Sequence, residues 1–287
     1  MRTLEIILLG LVQGATELFP VSSLGHAVLV PSIFRWSNQE SDPTFLPYLV
    51  LLHLGTAAAL LWLYRGEWVR LVRSFARAAI RGRIVSTDER LSFLIVVATV
   101  PAGVVGVFAE SAIRTLFATP RLAAVFLIVN GGMLYGAELL RRRAERRSHL
   151  AERSRDEQEL AFETIGDVRW RTAVLVGACQ ALALLPGISR SGVTMAAGLV
   201  SGLRHEEAAH FSFLLATPAI LAAGALEVPS LAGSDAPLGT YAVGGTVAAV
   251  AAYLSARFLL RYFRSGRLDP YAAYCAVAGA IALLILR

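Results

Sequence analysis

The sequence predicts an all-α polytopic membrane protein: six transmembrane helices and two re-entrant broken-helix hairpins in an inverted repeat. Three observations predict it. The 287 residues are 56% hydrophobic with a mean hydropathy of +0.59. Apolar runs near the roughly 20 residues that cross a bilayer recur along the chain. Two further apolar stretches are too long for one span and are interrupted near the middle by proline and glycine. Only 17% of residues are charged, against roughly 25% in a typical soluble domain. A single integral membrane domain is therefore expected over 1–287. Its repeat halves cover about 1–140 and 172–287, joined by a charged linker, 141–171.

The six expected spans are 47–64, 91–109, 122–140, 210–228, 240–260 and 270–286. The broken stretches are 4–34 and 172–202. The first breaks at Phe19-Pro20-Val21-Ser22-Ser23 and the second at Pro186-Gly187-Ile188-Ser189-Arg190-Ser191. Proline lacks a donor and stops a helix, and glycine permits the turn. Each stretch reads as two half-helices meeting inside the membrane, where irregular backbone is tolerated only around an enclosed cavity. Residues 141–171 fit a short surface helix or a flexible loop. The N-terminus looks superficially like a signal peptide. Glu5 and Glu17 interrupt it and no small-residue cleavage site follows, so it is expected to be mature protein.

The net charge is +6, and all 27 basic residues are arginine. They cluster in 65–90, in 141–171 and in 257–267, whereas 229–239 has none and 35–46 and 110–121 have few. Short arginine-rich loops between apolar runs are the positive-inside pattern, not a nucleic-acid footprint. The arginine-rich loops, including linker 141–171, are then cytoplasmic. Threading six spans through this assignment requires each broken stretch to enter and leave on one side: 4–34 from outside, 172–202 from the cytoplasm. Both termini come out external. Cys179 and Cys275 lie in apolar segments without metal-ligand spacing and read as buried hydrophobes.

The halves also echo each other. Gly10-Leu-Val-Gln13 precedes Leu18-Phe19-Pro20, and Gly177-Ala-Cys-Gln180 precedes Leu184-Leu185-Pro186. Three spans follow each motif, an odd number, so the second half is inverted relative to the first. Gly131-Gly132 and Gly244-Gly245 allow close helix packing, within one chain or between two copies in a homodimer.

Glu17, Ser22, Ser23 and His26 fall within ten residues around the first break. A carboxylate there costs at least about 2.5–3.5 kcal/mol on insertion scales, which makes an intramembrane ionisable group a functional candidate. Gln13 lies one turn before Glu17, on the same face. Each residue has a purely structural alternative: helix capping for Ser22 and Ser23, a satisfied core imidazole for His26, an ion pair for Glu17 and Arg190. Arg190 is the only charged residue between Arg171 and Arg204. It opens the second half-helix of 172–202, flanked by Ser189 and Ser191, with Thr194 a turn later. A helix N-terminus is an anion site, and the guanidinium fork matches phosphate oxygens. Two such N-termini converging from opposite sides suit a diphosphate better than a carboxylate.

The stretches Gln13-Gly-Ala-Thr-Glu17-Leu-Phe-Pro-Val-Ser-Ser23-Leu-Gly-His26 and Pro186-Gly-Ile-Ser-Arg190-Ser-Gly-Val-Thr194 closely resemble the two signature motifs of the undecaprenyl-diphosphate phosphatase, or bacitracin-resistance protein, family. The resemblance spans nearly the whole chain. It implies hydrolysis of a polyprenyl diphosphate to the monophosphate, which recycles the lipid carrier of cell-envelope glycans. It implies the plasma membrane, a site open to the outer face, and a divalent cation, Mg²⁺ or Ca²⁺. By motif position it gives Glu17, Ser23, His26 and Arg190 catalytic roles. Glu17 and Gln13 are the implied metal ligands. Gln13, Ser22, Ser189, Ser191 and Thr194 are expected against the substrate. Two departures stand out: Gln13 where the family often has Glu, and Leu24 where it usually has Thr.

The reaction expected is phosphoryl transfer, driven by positioning and charge neutralisation. Ser23 attacks the terminal phosphorus while His26 or Glu17 takes its proton; alternatively a metal-activated water attacks. The rival reading from another class is a transporter or flippase of a polyprenyl phosphate, since broken helices in inverted repeats also build transporters.

Overall fold

The computed structural model describes residues 3–36, 45–109, 119–147, 162–227 and 237–286. These form eleven α-helices and two short 3₁₀ turns. In chain order they are α1 (Thr3–Thr16), α2 (Ser23–Ile33), α3 (Phe45–Leu63), α4 (Arg65–Arg81), α5 (Thr87–Phe108), α6 (Pro120–Arg147), α7 (Trp170–Ala181), α8 (Arg190–Val200), α9 (His205–Glu227), α10 (Leu238–Tyr262) and α11 (Asp269–Ile285). The 3₁₀ turns are Ile165–Asp167 and Leu182–Leu184. Among the described residues there is no strand, only an isolated bridge between Glu163 and Leu203.

The outward faces are apolar. On α5, Val96, Val100, Val104 and Val107 stand exposed at helical spacing, as do Val250, Leu254 and Phe258 on α10. This is the surface of a polytopic membrane protein, whose helices are apolar toward lipid as well as toward the core. Four described helices, α5, α6, α9 and α10, are long and apolar enough to cross a membrane. A fifth is reached only by joining α3 to α4, which turns away from it by 87°. The expected span 270–286 is α11, whose 17 residues give about 25 Å, short of the roughly 30 Å hydrocarbon core. By length and composition the described helices thus supply four spans, or five with the bent pair, as a polytopic membrane protein has.

Both breaks appear where proline and glycine place them. α1 ends at Thr16, and the chain turns through Glu17–Ser22 before α2. α7 runs into the turn Leu182–Leu184, and α8 starts at Arg190. Gly187 has φ +104, and a Cβ there would meet the Ala123 carbonyl oxygen at 2.3 Å. Both facts exclude a larger residue. α1 packs on α10, α7 on α5, α6 on α11, and α3 on both α10 and α9.

Three elements differ from the sequence reading. The arginine-rich stretch 65–90 is not a loop but helix α4 and the capped start of α5, where Ser86 and Glu89 form a capping box. α6 continues through the expected boundary at 140 to Arg147. The expected low-arginine loops fall largely outside the described residues, as does 148–161 of the linker. Of the paired glycines, Gly131 and Gly244 are used within the chain: a Cβ would meet Ala272 O at 2.7 Å and Tyr48 Oη at 2.7 Å respectively.

A second buried ionic cluster, absent from the sequence reading, closes the far end of α6. Glu138 is fully buried. Its carboxylate accepts from Arg267 Nη1 at 3.0 Å and from the Leu268 amide at 3.1 Å, and lies 3.0 Å from His205 Nε2. Arg267 Nη2 reaches Glu145 at 2.9 Å, and Arg141 Nη1 donates to the Leu203 carbonyl at 3.0 Å.

Candidate active site

The two breaks meet, and side chains lace them together. Asn130 of α6 donates from Nδ2 to the Pro20 carbonyl at 2.9 Å and accepts the Ser189 amide at 3.0 Å. Ser22 Oγ accepts from the Gly25 amide at 3.1 Å, capping α2, and from the Gly187 amide of the other break at 3.2 Å. Ser191 Oγ lies 2.9 Å from the Phe19 carbonyl and 3.0 Å from Ser189 Oγ, which caps α8 by accepting the Gly192 amide at 3.0 Å. Thr194 Oγ1 lies 2.7 Å from Ser212 Oγ of α9. Ser22 holds this position at φ +66, a left-handed conformation costing about 1–3 kcal/mol outside glycine. The laced contacts hold it there.

Glu17 is the hub. One carboxylate oxygen, Oε1, pairs with Arg190 Nη2. The other, Oε2, accepts from Ser23 Oγ and from Gln13 Nε2 at 2.8 Å. Oε2 also lies 3.2 Å from His53 Nε2 of α3. The Glu17 side chain is 4% exposed and that of Arg190 18%, so the guanidinium is the more reachable member of the pair. Arg190 Nη1 is anchored on the Ala216 carbonyl at 3.1 Å. Ser23 is the first residue of α2 and Arg190 the first of α8. Side chains of the first residues of two helices therefore meet on one carboxylate.

Of the residues expected at the site, Gln13, Glu17, Ser23 and Arg190 come together around one carboxylate. Ser22, Ser189 and Ser191 adjoin it, with hydroxyls committed to capping and to lacing the breaks, and the Thr194 hydroxyl is committed to its own helix and to Ser212. His26 is placed differently. Its Nδ1 lies 2.7 Å from the Ser22 carbonyl and its Nε2 2.8 Å from Tyr274 Oη on α11. Both ring nitrogens are thus engaged away from Ser23, and the Glu17 carboxylate is the hydrogen-bond acceptor that faces the serine hydroxyl.

Two residues at the site went unread in the sequence, His53 and Asn130. Each is a polar side chain inside an expected span, the same signal that drew attention to Glu17. His53 Nδ1 is 2.7 Å from the Leu49 carbonyl, so both its nitrogens face oxygen atoms.

Among the described residues no three His, Cys, Asp or Glu side chains converge, so the protein offers no closed metal cage. Gln13 Oε1, however, is buried without a hydrogen-bond partner, as are Thr56 Oγ1 and Thr217 Oγ1. An amide oxygen beside a carboxylate is a hard donor set. It fits Mg²⁺ or Ca²⁺ when substrate phosphates supply further ligands.

Fold and site define an all-helical membrane protein that buries a carboxylate, a hydroxyl and a guanidinium where two helix breaks meet. The chain belongs to the bacitracin resistance protein BacA family, which it matches over residues 6–281. It is 47% identical to an undecaprenyl-diphosphatase of Mycolicibacterium paratuberculosis, over 98% of this chain and 96% of the relative. It is 42% identical to undecaprenyl-diphosphatase 2 of Frankia alni, over 97% of this chain and 96% of the relative. For undecaprenyl-diphosphatase 2 of Chromobacterium violaceum the identity is 42%, over 99% of both chains. The family reached from the two motifs is the family that full-length comparison returns.

Proposed function

We propose that this protein is a membrane phosphatase that converts a polyprenyl diphosphate of the undecaprenyl type to the monophosphate and phosphate, recycling the lipid carrier of cell-envelope glycans. The observation that carries the reading is the triad at Glu17: the Ser23 hydroxyl aimed at one carboxylate oxygen and Arg190 on the other. A translocation site needs an anion clamp but no hydroxyl paired to a proton acceptor, and the relatives' names denote hydrolysis, not transport.

In the proposed reaction the diphosphate draws Arg190 from Glu17, since the planar fork pairs with phosphate as it does with carboxylate. The N-termini of α2 and α8 face the same anion. Ser23 Oγ attacks the terminal phosphorus, its proton passes to Glu17, and the bond to the bridging oxygen breaks. The prenyl monophosphate leaves, and water then hydrolyses the phosphoserine. Glu17 and Gln13 would hold a divalent cation, which when bound neutralises diphosphate charge. His26, pinned to the Ser22 carbonyl, fixes the backbone on which Ser23 stands.

The proposed topology is the six-span inverted repeat with two re-entrant hairpins, in the plasma membrane and with the site toward the outer face. Two packing pairs support it. α1 packs on α10 and α7 on α5, the same contact with the halves exchanged. Gly10 and Gly177, aligned in the echoed motifs, both lie against main chain: a Cβ would meet Gly244 O at 2.5 Å and Ala98 O at 2.6 Å.

The test is phosphate release from a short-chain prenyl diphosphate by the purified protein in detergent, with and without Mg²⁺, alongside Glu17→Ala and Arg190→Ala. Release by the wild type and its loss in both variants is expected; equal release by all three would refute the reading. Trapped phosphoserine on the intact chain supports the covalent route. Rapid incorporation of ¹⁸O from water by Ser23→Ala would replace the serine with a water nucleophile.

A further inference from the structure

The surface of α4 divides into three stripes, one buried and two exposed, the two exposed ones offset from each other by one residue. Leu71, Ser74 and Ala78 are buried, with α5 as the main partner. Val69, Val72, Ala76 and Ile80 are exposed and apolar, at 47%, 62% and 89% for Val69, Val72 and Ile80. Arg70, Arg73, Arg77 and Arg81 are exposed and basic. One residue is a rotation of about 100°, so the apolar and basic stripes adjoin on the side away from the bundle. At 17 residues the helix is about 25 Å long.

We propose that α4 lies in the plane of the membrane interface and binds anionic lipid headgroups, with Val69, Val72 and Ile80 in the acyl boundary and Arg73 and Arg77 on the phosphates. Four observations commit the face to lipid rather than to a second protein. The helix turns by 87° from the apolar α3, so it lies flat when α3 stands along the bilayer normal. The apolar stripe is flanked by arginine, the composition of interfacial helices on anionic membranes. Trp62 at the bend is 64% exposed and carries Arg65 over its ring at 5.0 Å, an interfacial pairing of aromatic and cation. Two of the arginines also lack an internal counter-charge. Arg70 and Arg81 face Asp88 and Glu89, whereas Arg73 and Arg77 make no ion pair among the described residues, Arg77 donating only to Ser74 Oγ at 3.1 Å.

The proposal is independent of the phosphatase reading and is tested apart from it. The purified full chain is mixed with equal phosphatidylglycerol and phosphatidylcholine, and retained lipid is counted by native mass spectrometry. Preferential retention of phosphatidylglycerol is expected, falling roughly fivefold per arginine in R73Q/R77Q, since each basic residue near an anionic surface contributes about 1 kcal/mol, a factor of about five in binding. Equal retention of both lipids by the wild type, or full selectivity in R73Q/R77Q, would overturn it. A second measurement keeps the native arginines: an environment-sensitive fluorophore on Ile80→Cys in phosphatidylglycerol vesicles. It should be quenched by a quencher on the lipid chains. Access for an aqueous quencher, or burial against a second copy of the chain without lipid quenching, would equally refute it. Phosphate release by R73Q/R77Q in detergent should match the wild type, because both residues lie outside the Glu17 site.

Discussion

The Glu17 cluster and the Glu138 cluster both bury a carboxylate against an arginine and a histidine, and they are finished differently. Glu138 meets Arg267, His205 and the Leu268 amide. Those partners sit at the α10–α11 turn and at the start of α9, so the cluster pins chain turns to the end of α6. Glu17 meets Arg190, Ser23, Gln13 and His53. Its surroundings retain buried polar atoms without partners, Gln13 Oε1 among them. A buried ion pair by itself says little about function, because desolvation offsets much of the attraction. The distinguishing marks are a serine hydroxyl on the carboxylate and an unfilled acceptor beside it.

That contrast can be broken experimentally. The largest effect is expected for Glu17→Gln, which keeps the shape of the side chain and removes the proton acceptor. The turnover number should fall by about 10³-fold or more while the melting temperature in detergent moves little. Activity within tenfold of wild type would place Glu17 with Glu138 as a structural residue. Ser23→Ala should lower turnover by about 10²–10⁴-fold and abolish phosphoserine trapping.

Glu138→Ala should do the reverse. Removing the fully buried carboxylate takes away one of Arg267's two ion pairs and the acceptor of the Leu268 amide, at about 3–5 kcal/mol of stability, read as a lower unfolding midpoint. The fraction that stays folded should keep its KM. Asn130→Ala sits between the two cases, because it unties the breaks and leaves the Ser189 amide unpaired, at about 1–3 kcal/mol. The smallest effect is expected for His53→Gln. The amide can still donate to Glu17, so turnover should stay within about tenfold of wild type, with a larger loss in His53→Leu. Equal losses in the two would show that the imidazole does more than donate a hydrogen bond.

Much of the site was readable because the chemistry is local in sequence. Gln13, Glu17 and Ser23 lie within one broken hairpin, and a carboxylate in an apolar run has few structural explanations. Arg190 was readable as the lone charge of its stretch. His53 and Asn130 were not read, because their partners lie on other helices and a single polar residue in a span does not disclose which neighbour it meets. His26 shows the converse. Sequence proximity to Ser23 suggested a shared proton, but one turn of α2 carries the ring toward Tyr274 of α11. Helix α4 was mistaken for a loop because charge density outweighed its three-stripe periodicity.

The sequence alone determined the fold class, the two breaks and the family, since hydropathy, proline placement and short motifs are properties of the chain itself. Packing decided the rest: that both breaks meet, that Asn130 and Ser22 lace them, that Glu17 rather than His26 faces Ser23, and that a second buried ionic cluster closes the far end. Those outcomes depend on which helix faces contact one another. Such contacts come from close approaches like Gly10 on Gly244 and Gly177 on Ala98, and no local pattern of residues encodes them.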